Sequence, residues 1–204
     1  MITDIATQQK WNKLAPALDL MSGRGAEQRW QPYKRQLFGN MKGKVLFLAL
    51  GTGLDIASFP PNRDITAIDI SPTMLRLAEP RVAAYPGSLT AKLMDVHAME
   101  FADGTFDQVF TSCTFCSVPN PVGALAALRR VLKPGGELFM FEHTGSHYFP
   151  LSAMMKLMTL LTSRFGPSMD RETVKNVEMA GFELLEVENV FLDVVKIIKA
   201  RAPG

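Results

Sequence analysis

Hydrophobic positions follow two different periods along the chain, and each period predicts one kind of element. Near the N-terminus Trp11, Leu14 and Leu18 recur at helical spacing between polar residues, which predicts an amphipathic helix over residues 3 to 21. Residues 45 to 50 instead form a short unbroken apolar run between glycines. That pattern is typical of a strand buried on both faces, as in a parallel sheet covered by helices.

Further runs of both kinds follow, and turn residues separate them. The predicted strands are 45–50, 64–69, 89–94, 106–112, 137–142, 182–190 and 194–200. The predicted helices after the first are a second N-terminal helix around 30–38 and then 55–59, 71–80, 119–132, 150–161 and 167–180. Because strands and helices alternate, the sequence predicts an α/β protein with a parallel sheet.

Two glycines directly follow the first strand and predict a site where a ligand lies close to the backbone. Gly51 and Gly53 allow a sharp turn there, since neither carries a Cβ. The dinucleotide fingerprint requires a third glycine at position 56, which is Ile, so a dinucleotide is disfavoured. Asp69 ends the second strand, where a carboxylate accepts hydrogen bonds from ribose hydroxyls. The ligand predicted here is therefore a nucleoside.

Five ordered blocks make the chain similar to small class I S-adenosylmethionine-dependent methyltransferases. They are Leu50-Gly-Thr-Gly53, Ile68-Asp-Ile-Ser-Pro-Thr-Met74, Met94-Asp95, Phe106-Asp-Gln-Val-Phe110 and Arg130-Val-Leu-Lys-Pro-Gly-Gly-Glu-Leu138. The resemblance implies a Rossmann-like, doubly wound, mostly parallel seven-stranded sheet with helices on both faces and added N-terminal helices. It also implies a single domain, divided into a helical cover (1–42), a cofactor-binding core (43–142) and an acceptor-side insert with C-terminal strands (143–204).

The resemblance implies S-adenosylmethionine as the cofactor, with S-adenosylhomocysteine as its product. The residues expected to bind it are Gly51, Thr52, Gly53, Asp69, Ile70, Met74, Asp95, Val96, Thr111 and Ser112. Within this set Asp95 is expected to accept a hydrogen bond from the adenine amino group, with Val96 beside the ring. One position departs from the family pattern: Ala49 stands where an acid usually helps to hold the methionine end of the cofactor.

Two residues at the end of the fifth strand are the candidates for catalysis. His143 is placed to remove a proton from the acceptor, because an unperturbed imidazole titrates near neutral pH. Glu142 is placed to orient His143 or to hold a cationic acceptor. The alternative is that His143 is a hydrogen-bonded histidine at a strand end with no catalytic part. His147 and His97 are weaker candidates for the base.

Charge and cysteine content restrict the remaining functions. The net charge of +2 over 204 residues argues against nucleic-acid binding, although residues 24 to 44 are locally basic and suit either an anionic membrane or plain solvent. Cys113 and Cys116 are the only cysteines, too few for a zinc site, so no metal is expected and both are read as buried or pocket-lining thiols. Without a signal pattern or a long apolar run, the protein is expected to be cytoplasmic, or peripheral on the inner face of the membrane.

The acceptor is the least determined part of the prediction. The Met-rich segment 150–161 is either core packing or an adaptable apolar wall of the acceptor pocket. Together with the N-terminal helices it favours the amine of a phospholipid headgroup as the acceptor. Within the family the chain resembles bacterial phospholipid N-methyltransferases, quinone C-methyltransferases and thiol methyltransferases alike, and a small thiol is the alternative acceptor. A domain that binds the cofactor without catalysis is a further alternative, because of Ala49.

Overall fold

A computed structural model describes residues 2–20, 26–162 and 167–204 of the chain. The helices are α1 (Ile5–Leu20), α2 (Ala26–Phe38), α3 (Pro72–Ala83), α4 (Pro121–Val131), α5 (Leu151–Thr162) and α6 (Thr173–Met179). The strands are β1 (Lys44–Leu48), β2 (Asp64–Asp69), β3 (Ser88–Leu93), β4 (Phe106–Ser112), β5 (Leu132–His143), β6 (Glu183–Phe191) and β7 (Val195–Arg201). Two short 3₁₀ helices, Leu54–Ser58 and Val96–Ala98, follow β1 and β3.

The seven strands form one mixed sheet in the order β3-β2-β1-β4-β5-β7-β6. Strands β1 to β5 pair in parallel, whereas β7 runs antiparallel to both β5 and β6. Strands β2 and β3 lie on one side of β1, and β4 and all later strands lie on its other side. This confirms the predicted Rossmann-like, doubly wound fold, and it places a change of direction between β1 and β4, where such sheets bind ligands.

Helices cover both faces of the sheet, as alternate residues of β1 show. Val45 and Phe47 belong to a buried cluster that includes Phe38 of α2 and Ala78 of α3. Leu46 and Leu48 face the other way and pack with residues of α4 and α6. A strand with both faces buried has no polar side to alternate with, which explains its unbroken apolar run.

The register of the parallel strands brings their carboxyl ends to one edge. Leu48 of β1 pairs with Ile68 of β2 on one side and with Thr111 of β4 on the other. The loops that follow these three strands therefore begin at the same level. This alignment is what brings residues far apart in sequence into one site.

Strand β1 ends earlier than predicted, at Leu48 rather than Leu50. Ala49 adopts a φ of 59°, in the left-handed region that side chains rarely occupy, and this ends the extended conformation. Leu50 still donates a backbone hydrogen bond to Ile68, so the chain stays beside β2 as it enters the glycine turn. The helix predicted over 55–59 is present as the 3₁₀ helix Leu54–Ser58.

The Lys133-Pro-Gly-Gly136 segment is predicted to end the preceding helix and to lie before the fifth strand. The helix does end before it, at Val131, but the segment lies inside β5. Residues 133 to 136 bulge out between the pairs Phe106 with Leu132 and Gln108 with Glu137. Gly135 and Gly136 exchange backbone hydrogen bonds with Ala202, which holds the bulge in place.

The last helix, α6, is shorter than the predicted 167–180. Residues before it are held as a loop, because Gly145 donates to the backbone oxygen of Arg171 and Thr159 donates to the carboxylate of Asp170. The predicted end of the first helix at position 21 falls outside the described residues. Among the described residues, no helix is both long and apolar enough to cross a membrane.

Candidate active site

A cavity of about 830 Å³ opens at the carboxyl ends of β1 to β4. Eight of the ten predicted cofactor residues line it: Gly51, Thr52, Asp69, Ile70, Met74, Asp95, Val96 and Ser112. Gly53 lies in the turn itself, with a φ of 82° that favours glycine, and does not line the cavity. The volume is at the upper end of the range, roughly 300–1,000 Å³, that small ligands occupy in proteins.

Asp69 joins the first two loops of the site. One carboxylate oxygen accepts a hydrogen bond of 2.8 Å from the Gly51 amide, and the other accepts one of 2.8 Å from the Ser71 amide. Burial raises the pKa of Asp69, and the backbone hydrogen bonds oppose that shift. Each carboxylate oxygen accepts more than one hydrogen bond, so Asp69 can still accept from ribose hydroxyls in the cavity.

Helix α1 covers the site and is tied to the loop after β2. Asn12 accepts a 2.6 Å hydrogen bond from the Ser71 hydroxyl, and Gln8 donates to the backbone oxygen of Ile70. Ser71 also caps α3 by accepting from the Met74 amide, as predicted. Trp11 and Leu18 of α1 line the cavity, so the N-terminal amphipathic helix provides part of its apolar wall.

Asp95 is bonded to the segment that precedes α1. One of its oxygens accepts from the backbone amides of Thr3 and Asp4, at 3.0 and 3.2 Å, and from the Thr3 hydroxyl. Burial alone would raise the pKa of Asp95, but hydrogen bonds from Thr3 and His97 outweigh it and lower the pKa to about 2. Thr3 and Asp4 therefore already donate hydrogen bonds to the carboxylate that is expected to bind adenine. The segment before α1 lies at that end of the cavity.

His97 also lines the cavity, and both of its ring nitrogens are occupied. Nδ1 lies 3.2 Å from a carboxylate oxygen of Asp95, and Nε2 lies 3.1 Å from the backbone oxygen of Asn120. Neither nitrogen is therefore directed at an acceptor in the cavity. His97 closes the site rather than presenting a base to it.

Glu142 and Thr111 do not reach the cavity. Glu142 is fully buried and accepts hydrogen bonds from the Thr111 hydroxyl and from the backbone amides of Thr114 and Phe115. Burial raises its pKa to about 7, although these three hydrogen bonds act in the opposite direction. The prediction put Glu142 in the acceptor site because β5 ends there, but the side chain turns toward β4 and fixes the loop after it.

His143 is also outside the cavity. It is half-buried at the end of β5, beside Val195 of β7, and burial lowers its pKa. Its Nδ1 is buried and has no hydrogen-bond partner in the described part of the chain. His143 therefore lies at the strand end, as both expectations have it, but it does not border the cavity in which the proton would be removed. His147 does not line the cavity either.

The loop held by Glu142 carries Cys113, which does line the cavity. Cys113 adopts a φ of 51° and donates its amide hydrogen to the backbone oxygen of Phe141. Cys113 is exposed where it borders the cavity, whereas Cys116 is buried, and burial raises the pKa of the Cys116 thiol. Both are free thiols, as expected of a buried or pocket-lining pair.

Sequence reasoning missed a buried ion pair on the cavity wall. Lys34 of α2 donates a 2.7 Å hydrogen bond to the carboxylate of Asp55, in the 3₁₀ helix after the glycine turn. Lys34 had been read only as part of a basic stretch. Its spacing in the sequence indicates burial, because Lys34 lies one turn from Trp30 and from Leu37, on the apolar side of α2.

The Met-rich segment does not form the acceptor pocket. Helix α5 buries Met155 in the core beside α2, while Met154, Leu157, Met158 and Leu160 are exposed on its outer side. No residue of α5 with a described side chain lines the cavity. Tyr148 and Phe149, just before the helix, are also exposed. The expected apolar wall is instead supplied by α1.

The chain is similar in sequence and in fold to known methyltransferases. Residues 46–140 match a family described as a methyltransferase domain. Human thiol S-methyltransferase TMT1B is 32% identical, and the match covers 80% of this chain and 72% of that protein. The quinone C-methyltransferase UbiE of Geobacter sp. is 32% identical over 65% of this chain and 60% of its own length. A Haemonchus contortus N-methyltransferase, solved with phosphomonomethylethanolamine and S-adenosylhomocysteine, is 17% identical with a TM-score of 0.73, covering 98% of this chain and 61% of that one.

Replacing Asp69 tests the ribose contact. We expect Asp69→Asn to weaken S-adenosylhomocysteine binding by about 10-fold or more, because a charged acceptor of hydrogen bonds is lost. Calorimetric titration measures the affinity. Asp64→Asn, at the exposed opposite end of the same strand, is the matched control. Equal affinity of Asp69→Asn and the wild type would show that the ribose lies elsewhere.

Glu142 should make stability depend on pH. Its pKa in the folded protein lies above the value of about 4.3 expected in the unfolded chain, so the folded state binds the extra proton and is stabilised at low pH. Relative to Glu142→Gln, the free energy of unfolding of the wild type should fall by about 3 kcal/mol as pH rises from 4 to 8. Urea denaturation of both proteins across this range gives the difference. A difference that does not change with pH would contradict the raised pKa.

Proposed function

Because this chain belongs to the class I S-adenosylmethionine-dependent methyltransferases, we propose that it transfers the methyl group to the sulfur of a small, apolar thiol. The cofactor is S-adenosylmethionine, and it supplies an electrophilic methyl group on a sulfonium. We assign its nucleoside to Asp69, for the ribose, and to Val96, for the adenine, at the end of the cavity that Asp95 borders. What remains to be assigned is the acceptor.

The observation that carries the proposal is where the candidate bases lie. His143 and Glu142 are outside the cavity, and both nitrogens of His97 are occupied. A thiol has little need of a base from the protein. A thiol of the cysteine type has a pKa of about 8.5, so a small fraction of it is already thiolate in neutral water. An amine or quinol acceptor depends more strongly on a base within the site that removes its proton.

The chain then has to position the thiolate and exclude water. Trp11 and Leu18 of α1, with Val118 and Pro119 after β4, give the cavity an apolar wall that suits an apolar thiol. The thiolate sulfur forms a bond to the methyl carbon as the bond from that carbon to the sulfonium sulfur breaks. The thiol proton has already gone to water, and the leaving group is the neutral thioether S-adenosylhomocysteine. Orientation and exclusion of water provide the catalysis.

Similarity to known proteins supports the same acceptor. The human thiol S-methyltransferase is matched over 72% of its length, whereas the Geobacter quinone C-methyltransferase is matched over 60%. The N-methyltransferase structure shares the fold at 17% identity and carries no argument about the acceptor. A domain that only binds the cofactor would not methylate any thiol, so the assay below also tests that alternative.

A phospholipid amine is the second candidate, and the exposed side of α5 is the observation that favours it. Phe149 and Leu160 are 86% and 74% exposed, and Tyr148 and Leu157 are exposed beside them. Lys156 lies on the same helix, and α5 has no acidic residue. Such a surface suits contact with a lipid interface. The exposed side of α5 would hold the protein at the membrane, but it does not line the cavity. A lipid acceptor would therefore have to reach the cavity in a separate step.

The pH dependence of methyl transfer should follow the acceptor. With two apolar thiols whose pKa values differ by about one unit, kcat/KM should rise with pH and level off near the pKa of each thiol, because the thiolate is the reacting species. Radiolabelled S-adenosylmethionine and extraction of the methyl thioether give the rates. His143→Ala should keep the same profile, since His143 is outside the cavity.

Three results would contradict the proposal. One is an identical pH midpoint for both thiols, which would indicate a base in the protein. Another is label that enters phosphatidylethanolamine vesicles while thiols remain unlabelled, which would move the assignment to the lipid amine. The third is cofactor binding without transfer to any thiol or lipid, which would support a binding domain.

A further inference from the structure

The order of the strands sets an order of subsites along the cavity. Asp95 follows β3, Asp69 follows β2, the Gly51 turn follows β1 and Cys113 follows β4, and these strands are neighbours in that order. A nucleoside with its adenine near Asp95 and its ribose near Asp69 therefore directs its 5′ substituent past Gly51. The amino-acid end of S-adenosylmethionine lies at the side of β1 and β4.

Lys34 and Asp55 are at that side. Asp55 comes two residues after the turn at Gly53, and Lys34 reaches it from α2. Both side chains also lie close enough to Cys113 to influence its thiol electrostatically. Their side chains are 11% and 14% exposed, and what remains exposed borders the cavity. Among the described residues, Lys34 is the one lysine or arginine on the cavity wall.

The amino-acid end of the cofactor carries one negative and one positive charge, a carboxylate and an ammonium. Neither charge is stable in an apolar cavity without a partner of opposite sign. The usual acid that would hold this end is replaced by Ala49, whose side chain has no charge to offer. The site therefore needs a cation and an anion from elsewhere in the chain, close together.

We propose that Lys34 and Asp55 bind the amino-acid end of S-adenosylmethionine, with Lys34 pairing with its carboxylate and Asp55 with its ammonium. The charges of Lys34, Asp55 and the two ends of the amino acid then alternate in sign. The ion pair between Lys34 and Asp55 is kept, and each of them gains a second partner of opposite charge. Neighbouring backbone amides of the Gly51 turn border the same space. This assignment concerns the cofactor and is independent of which acceptor is methylated.

The same pair has a structural explanation, in which it only joins α2 to the 3₁₀ helix. Ligand truncation separates the two explanations. 5′-Methylthioadenosine has the adenine, ribose and thioether of the product but lacks the amino-acid end. Decarboxylated S-adenosylmethionine keeps an ammonium and lacks the carboxylate. A structural pair affects all ligands alike, whereas a binding pair affects only those that carry the matching charge.

The test is calorimetric titration of Lys34→Met and Asp55→Asn with S-adenosylhomocysteine and the two truncated ligands. Lys34→Met should weaken S-adenosylhomocysteine binding by about 10-fold or more and leave 5′-methylthioadenosine within about 2-fold, since a charged hydrogen bond is lost only with the former. Asp55→Asn should weaken the decarboxylated ligand, which Lys34→Met should spare. Lys42→Met, with a side chain that is 73% exposed and outside the cavity, is the matched control.

Two outcomes would overturn the proposal. One is an equal loss of affinity for S-adenosylhomocysteine and 5′-methylthioadenosine in Lys34→Met, which would make the pair structural. The other is unchanged affinity for S-adenosylhomocysteine in both single variants. If removal of one charge prevents folding, Lys34→Met combined with Asp55→Leu leaves no lone buried charge. The affinity ratio of the two ligands in that variant answers the same question.

Discussion

The Asp69 carboxylate is the constraint on which the site depends. By accepting from the Gly51 and Ser71 amides, it holds the loops after β1 and β2 at a fixed distance. The Ser71 end of this arrangement also fixes the start of α3 and, through Asn12, the cover helix α1. Desolvation makes such a carboxylate costly, and the amide hydrogen bonds offset part of that cost. One buried acid thus organises the two loops and the helices α3 and α1 at this edge of the sheet.

A second buried acid does the same on the other side of β1. Glu142 fixes Thr111, Thr114 and Phe115, and so gives the loop after β4 the shape that brings Cys113 to the cavity. The two carboxylates have different solvent access, however. Asp69 borders the cavity and is available to a ligand, whereas Glu142 has no exposed surface. Because of this difference in solvent access, Asp69 can contact a ligand, whereas Glu142 can only support the loop.

Local patterns were sufficient for the fold because buried strands, helix caps and glycine turns are encoded by neighbouring residues. Ser71 is an example, since its role as the cap of α3 follows from its place at a helix start. The roles of Glu142, His143 and Lys34 depend on which way a side chain turns and on how α2 packs against the sheet. Asp95 meets Thr3 across 92 positions of sequence. Such contacts are decided by tertiary packing, which a single sequence does not show.

In the proposed arrangement the cofactor lies along the carboxyl edge in the order of the strands, with its charged end at Lys34 and Asp55. A crystal structure of the protein with S-adenosylhomocysteine tests this most directly. We expect adenine beside Asp95 and Val96, the ribose hydroxyls bonded to Asp69, and the amino-acid end in contact with Lys34 and Asp55. A ribose bound away from Asp69, or an amino-acid end directed away from Lys34, would contradict the account.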